Sequence, residues 1–150
     1  TKRQRLAEAF MTIIDIKTRL NDPLIRSVLA LSQYRPTPEK LASRAAAYLA
    51  DPDVFAFTCF DQDNPLGVLV LKNHGAQAFE ILSISVVSDS RHRGIGSKLI
   101  THAAEALRCT QITAETDDDA VGFYRRYGFK IKSLGEKYPN CVRYLCTLNL

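Results

Sequence analysis

Arg91-His92-Arg93-Gly94-Ile95-Gly96-Ser97 follows an apolar run of strand character and opens a run of helical period. The first turn of a helix carries unpaired backbone N–H groups and partial positive charge, and glycines let an anion approach that backbone closely. With Arg91 and Arg93 beside it, the stretch reads as a seat for a phosphate-bearing ligand. The plain alternative is an ordinary turn leading into a helix, because two glycines at this spacing are a weak signal alone. A nucleotide P-loop fits poorly, since Gly96-Ser97-Lys98 reverses the Gly-Lys-Ser order that such a loop needs. A dinucleotide fingerprint fits no better, with Leu99 where its third glycine belongs.

Two further groups could do chemistry. Ala120, Phe123, Tyr124 and Tyr127 recur at i, i+3, i+4 and i+7, a stripe that would pack a helix into a core while carrying phenols. Glu80 is a lone charge among Phe79, Ile81, Leu82 and Ile84, so it faces either a cleft or solvent. The cysteines Cys59, Cys109, Cys141 and Cys146 lack Cys-x-x-Cys spacing, and His74, His92 and His102 complete no zinc pattern with them, so no metal is expected. Cys59 and Cys146 lie in strand-like runs, where buried small-hydrophobe duty is expected.

These residues need elements to hold them. A chain of 150 residues, 46% hydrophobic, has the size and apolar content of one domain that needs no staple. Alternation with β-branched residues predicts a strand over 11–19. Asp22-Pro23 then opens a helix with Leu24, Val28 and Leu31 inward, and Thr37-Pro38 opens a second with Leu41, Ala45, Tyr48 and Leu49 on one face. Strands follow over 54–60, 66–71 and 78–87, with turns at 61–65 and 73–75. From Gly94 the period is helical, with Ile95, Leu99, Ala103, Ala106 and Leu107 inward. A short strand over 111–115 precedes a helix over 117–128, acidic at its start, basic in its last turn and stopped by Gly128. Strands over 129–134 and 141–150 close the chain, and residues 1–10 are a basic tail or short helix. This order argues a mixed α/β sheet flanked by helices.

On these residues the chain resembles the GNAT superfamily of acetyl-CoA-dependent N-acetyltransferases. The Arg-x-x-Gly-x-Gly of 91–96 and the later Asp117-x-x-Ala120-x-x-Phe123-Tyr124-x-x-Tyr127-Gly128-Phe129 are similar to that family's two signature regions, on matching elements in matching order. The motifs cover 80–129, and the element order extends the likeness over nearly the whole chain. The resemblance implies a central mixed, mostly antiparallel sheet of about seven strands with about four helices, in a single domain over 1–150. It implies transfer of an acetyl group from acetyl-CoA to a primary amine by direct attack in a ternary complex.

It also implies roles. The amides from His92 through Gly94, Ile95, Gly96 and Ser97, with Arg91 and Arg93 nearby, would receive the pyrophosphate of acetyl-CoA. Backbone N–H groups near Val86 and Val87, where the fourth strand leaves the fifth, would face the thioester oxygen. Tyr124 stands at the family's general-acid position, and Glu80 stands where some branches have a glutamate base acting through a water. Asp117 replaces the Asn of many relatives; it keeps the capping chemistry and is counted among the cofactor contacts. By its own chemistry, glycine inside a helix costs about 1 kcal/mol against Ala, so Gly122 marks either a close approach of cofactor or chain or a tolerated surface position. Tyr34, Arg35 and Tyr138 would wall the acceptor site.

The net charge of +4 is too slight to point to nucleic acid and is compatible with an anionic ligand. No apolar run is long enough for a bilayer and nothing resembles a secretory signal, so a cytoplasmic protein without a membrane partner is expected. The expected partner is an amine-bearing small molecule or peptide, with a homodimer left open. A second reading makes the domain a non-catalytic acyl-CoA sensor or subunit in which Tyr124 and Glu80 are structural. A third, an RNA-acting relative using the basic stretch Lys2 to Arg5, would show steep salt dependence.

Overall fold

The computed structural model describes residue 2 and residues 11–150. The tail or short helix expected over 1–10 therefore lies outside the described residues, Lys2 excepted. Seven strands form one sheet: β1 (Met11–Asp15), β2 (Val54–Asp61), β3 (Asn64–Asn73), β4 (Ala78–Val86), β5 (Gln111–Thr116), β6 (Lys130–Tyr138) and β7 (Cys141–Asn149). Their order is β1-β2-β3-β4-β5-β7-β6, antiparallel throughout except for the parallel pair β4/β5. Among the described residues, four α-helices flank it: α1 (Pro23–Leu29), α2 (Pro38–Ala50), α3 (Ile95–Ala106) and α4 (Val121–Tyr127). No helix among these residues is long and apolar enough to cross a membrane.

The sheet separates two cores. On one face α3 and α4 bring Ile95, Leu99, Ile100 and Tyr124 against Phe57, Leu69, Leu71, Ile81 and Ile112. On the other, α1 and α2 bring Ile25, Val28, Leu29, Ala45 and Tyr48 against Val54, Ala56, Val68 and Val70. Strands β2 and β3 are covered on both faces, which is why they read as continuous apolar runs. Gly67 of β3 seats α3: a Cβ there would lie 3.0 Å from Ile95 Cγ2 and 3.0 Å from the Ser85 carbonyl.

The feature that builds the site is the short β4/β5 ladder. Parallel pairing covers only Ala78↔Gln111, Phe79↔Ile112 and Glu80↔Thr113, and beyond Glu80 the two strands part into a fork. Strand β4 stays zipped to β3 up to Gly67↔Val86, so it is β5 that diverges from it.

Several sequence expectations shift. The strand expected over 11–19 ends at Asp15, whose Oδ1 accepts the Lys17 N–H at 2.9 Å and turns the chain into a 3-10 turn over Lys17–Arg19. Helix α1 buries Ile25, Val28 and Leu29, leaving Leu24 and Leu31 61% and 52% exposed. The 3-10 turn at Ala30–Ser32 that follows seven residues of α-helix shifts Leu31 out of the 3.6-residue phase, while Leu24 stands in the first turn of α1. Leu49 of α2 and Ala106 of α3 are likewise exposed. Helix α4 starts at Val121, not at residue 117, because 117–120 form a capping turn in which Asp117 Oδ1 accepts the N–H groups of Asp119 and Ala120. Strand β6 runs to Tyr138, well past 134, carried by pairing to β7 through two bulges. Cys59, Cys109 and Cys146 are buried, as small hydrophobes are.

Candidate active site

The fork opens a cleft of about 570 Å³. Its walls are Ile84, Ser85 and Val86 of β4; the stretch from Ser90 through Arg91, His92, Gly94, Ile95, Gly96 and Ser97; and Asp119, Ala120, Phe123, Tyr124 and Arg126 on the α4 side. Two left-handed residues, His92 at φ 67° and Gly94 at φ 74°, turn the chain into α3. Among the described residues helix α3 has no side-chain cap, and its first backbone bond runs from Lys98 N–H to Gly94 C=O. The N–H groups of Ile95, Gly96 and Ser97 therefore remain as open donors on the cleft wall, with the positive end of the helix dipole behind them.

Positive charge in the cleft comes from Arg91 and Arg126, with the Asp119 carboxylate beside them. The Arg126 guanidinium lies across Gly122, where an added Cβ would come 3.1 Å from Nη1. The close approach expected at Gly122 is thus one made by this chain. Arg93 does not line the cleft; burial pushes the Cys59 thiol up, and the charges of Lys98 and then Arg93 offset only part of that rise. The second glycine has a packing reason too: a Cβ on Gly96 would meet the Phe123 ring at 3.1 Å, so Gly96 lets α4 close against α3.

The two valines part company. Val87 N–H donates to the Leu66 carbonyl at 2.9 Å and is spent within the sheet, so it is removed from the expected oxyanion donors. Successive N–H groups of a strand point to opposite sides, so that of Val86 points toward the side vacated by β5. The end of β4 is pinned on its other face by Ser85 Oγ, which donates to the Val28 carbonyl at 2.8 Å, and by the Ser32–Ser83 hydroxyl pair.

Tyr124 is 4% exposed and sits on the cleft wall. Its ring packs edge-on against Phe123 and Phe129, each with centroids 5.2 Å away. Among the described residues its hydroxyl makes no hydrogen bond. Burial first, and the nearby Cys146 second, push its pKa well above the ordinary tyrosine value. Core packing and access to the cleft are both properties of this one side chain.

Other expected site residues lie apart. Asp117 is occupied as a cap and does not line the cleft, where Asp119 and Ala120 take its place. Glu80 sits at the closed end of the fork on the sheet face away from α3, half-exposed, with Oε1 2.9 Å from His74 Nε2. It does not line the cleft on the α3 side, and its own face of the fork is open to solvent. Tyr34 is 83% exposed with the Arg35 guanidinium over its ring, and it lines a separate groove of about 660 Å³ along α2. Tyr138 is exposed near the β6–β7 turn, so these three do not come together at the cleft. Phe123 and Arg126, unassigned from sequence, are one turn apart on α4, and that i, i+3 spacing beside Tyr124 was the available signal.

Residues 23–129, the stretch holding the fork, the glycine loop and Tyr124, match the family described as acetyltransferase (GNAT). The chain belongs to the GNAT acetyltransferase family. Over 86 residues this GNAT chain is 35% identical to the peptidyl-lysine N-acetyltransferase YjaB of Salmonella typhimurium (strain LT2), covering 53% of this chain and 56% of that protein. The chain spans about half the length of the curated relatives it matches. Two solved structures share the GNAT fold. An IAA acetyltransferase from Bacillus cereus superposes with a TM-score of 0.71 at 19% identity, over 93% of this chain and 99% of that one. A GNAT family acetyltransferase from Elizabethkingia anophelis with acetyl-CoA bound gives 0.69 at 21%, over 94% and 99%.

Proposed function

We propose that this domain moves an acetyl group from acetyl-CoA to a primary amine by direct attack in a ternary complex, with a lysine side chain as the acceptor class. The carrying observation is the Tyr124 hydroxyl, without a hydrogen bond among the described residues and held on the cleft wall with a helix start that no described side chain caps. The acetyl-CoA in the Elizabethkingia relative and the peptidyl-lysine activity of YjaB support the two substrates.

The residues present fit such a ligand. The N–H groups of Ile95, Gly96 and Ser97, with Arg91 and Arg126, offer donors and charge for a diphosphate. When bound, acetyl-CoA supplies the thioester carbon that the amine attacks. Val86 N–H donates to the carbonyl oxygen as negative charge grows there. Tyr124 donates its proton toward the departing sulfur, and its raised pKa keeps that proton in place at neutral pH. Glu80 receives the proton of the amine through water, from the opposite face of the fork.

The test is thiol release from acetyl-CoA with a panel of amines, including a lysine-bearing peptide, at several pH values, beside a melting assay. Acetyl-CoA should raise the melting temperature, and thiol should appear only when amine is present. A raised melting temperature with no thiol from any amine would replace this reading by the non-catalytic acyl-CoA module.

A further inference from the structure

We infer that the open face of β5, β7 and β6 binds acidic residues flanking the acceptor amine, so that this domain prefers a lysine set among Asp and Glu. The inference rests on the acetyltransferase reading and names its substrate class more narrowly. The sheet register carries it. Lys130 pairs with Thr147, Thr147 with Thr113, Thr113 with Glu80 and Glu80 with Lys72, so these five residues form one row across five strands on one face. The next row runs Lys132, Leu145, Glu115, and Arg143 lies two residues along β7 on the same face. The alternate residues Ile112, Ala114, Cys146 and Ile131 pack into the core beneath α3 and α4.

That geometry decides the direction of approach. The cleft wall of Ile84 and Val86 lies on the α3 and α4 face, where the helices stand. An acceptor reaches the fork from the other face. There α1 and α2 cover β2 to β4, while the outward residues of β5, β7 and β6 stay exposed or half-exposed. The chain on either side of the acceptor must therefore lie over β5, β7 and β6.

This surface is cationic. Glu115 Oε1 holds both Lys137 Nζ at 3.0 Å and Arg143 Nε at 3.3 Å, so one carboxylate answers two cations. Lys130 and Lys132 carry no ion pair among the described residues. At about 4.8 Å per strand, β6 lies roughly 10 Å from the β5 edge of the fork, a distance that about three residues of extended peptide span. Acidic side chains two to four positions from the acceptor lysine therefore reach Lys130, Lys132 and the outer charges of the Glu115 cluster. A second copy of this chain fits worse, because two such faces would oppose like charges.

The experiment uses the full chain and two peptides with one lysine each, differing only in Asp/Glu against Asn/Gln at the flanking positions. With saturating acetyl-CoA, the acidic peptide should have about ten-fold higher kcat/KM, since several exposed ion pairs add up to roughly that factor, and rising salt should shrink the preference. The double variant Lys130→Gln/Lys132→Gln should lose the preference while keeping the parent rate on a small uncharged amine. Lys130→Glu/Lys132→Glu should favour the neutral peptide. Equal kcat/KM for the two peptides, a preference that survives both double variants, or variants that change only self-association would overturn the inference. Should neither peptide be turned over, the acetyltransferase reading fails separately. Anisotropy of the labelled peptides with CoA present then decides the inference, tighter binding of the acidic peptide supporting it and equal binding refuting it.

Discussion

Replacing Tyr124 by Phe removes one oxygen from the cleft wall and leaves the ring in place. The ring keeps its edge-on contacts with Phe123 and Phe129, and the lost hydroxyl has no hydrogen-bond partner among the described residues. Folding stability should therefore move by less than about 0.5 kcal/mol, which is under ~2 °C in the melting temperature for a domain of this size. A phenol that served the core through a hydrogen bond would instead cost about 1 kcal/mol or more. Turnover should fall about 100-fold, equivalent to roughly 2.7 kcal/mol of barrier, the loss expected for a general acid. Affinity for CoA should hold, because the helix start and Arg126 are untouched. Thiol release at saturating acetyl-CoA, a melt and a CoA titration on one preparation give all three numbers. Turnover within two-fold of the parent would refute the reasoning, and so would a stability loss above about 1 kcal/mol with unchanged turnover. A pH test accompanies it. Burial raises this phenol's pKa from 10.0, so its proton is retained across neutral pH, and parent turnover should show no loss of this acid between pH 7 and about 10.

Further outcomes follow from single contacts. Gly94→Ala should cost about 1 kcal/mol, lowering the melting temperature by ~2–4 °C, because residue 94 sits at φ 74°; its Cβ should also weaken CoA binding in a titration. Glu80→Gln should lower kcat/KM and move the limb of its pH profile that reports proton acceptance, and an unmoved profile would end the base role. Thr58→Val should raise stability by about 1 kcal/mol in urea denaturation, since Thr58 Oγ1 is buried without a partner among the described residues. The Glu115 carboxyl is held below its ordinary value of 4.5 by the Lys137 hydrogen bond first and by Arg143 next. A lowered folded pKa contributes stability above the unfolded value and loses it as pH falls through the folded one. Melts of Glu115→Gln should thus trail the parent at pH 7, with the gap closing below about pH 4.5.

Local chemistry was legible along the chain. The glycine loop of 91–97, the Thr37 cap of α2, the Gly128 stop of α4 and the period-two strands are set by residues within a turn of one another, so their spacing alone carries them. The placement of Leu31 was not, because a 3-10 turn after seven residues of α1 rotates it outward, and that turn is held to β4 by the Ser32–Ser83 hydroxyl pair. Nor could spacing tell Val86 from Val87, since which N–H is free depends on which neighbour β4 keeps.

The sequence by itself determined which residues could seat a diphosphate and which phenol stood near them, because a helix start and its i, i+3, i+4 stripe are short-range patterns. Tertiary structure decided the remainder. Arg126 faces the cleft while Arg93 does not, and Tyr34, Arg35 and Tyr138 stand away from the fork. The cleft's own lining depends on how far β5 departs from β4 and how α4 closes on Gly96, and both are set by contacts between residues far apart in the chain.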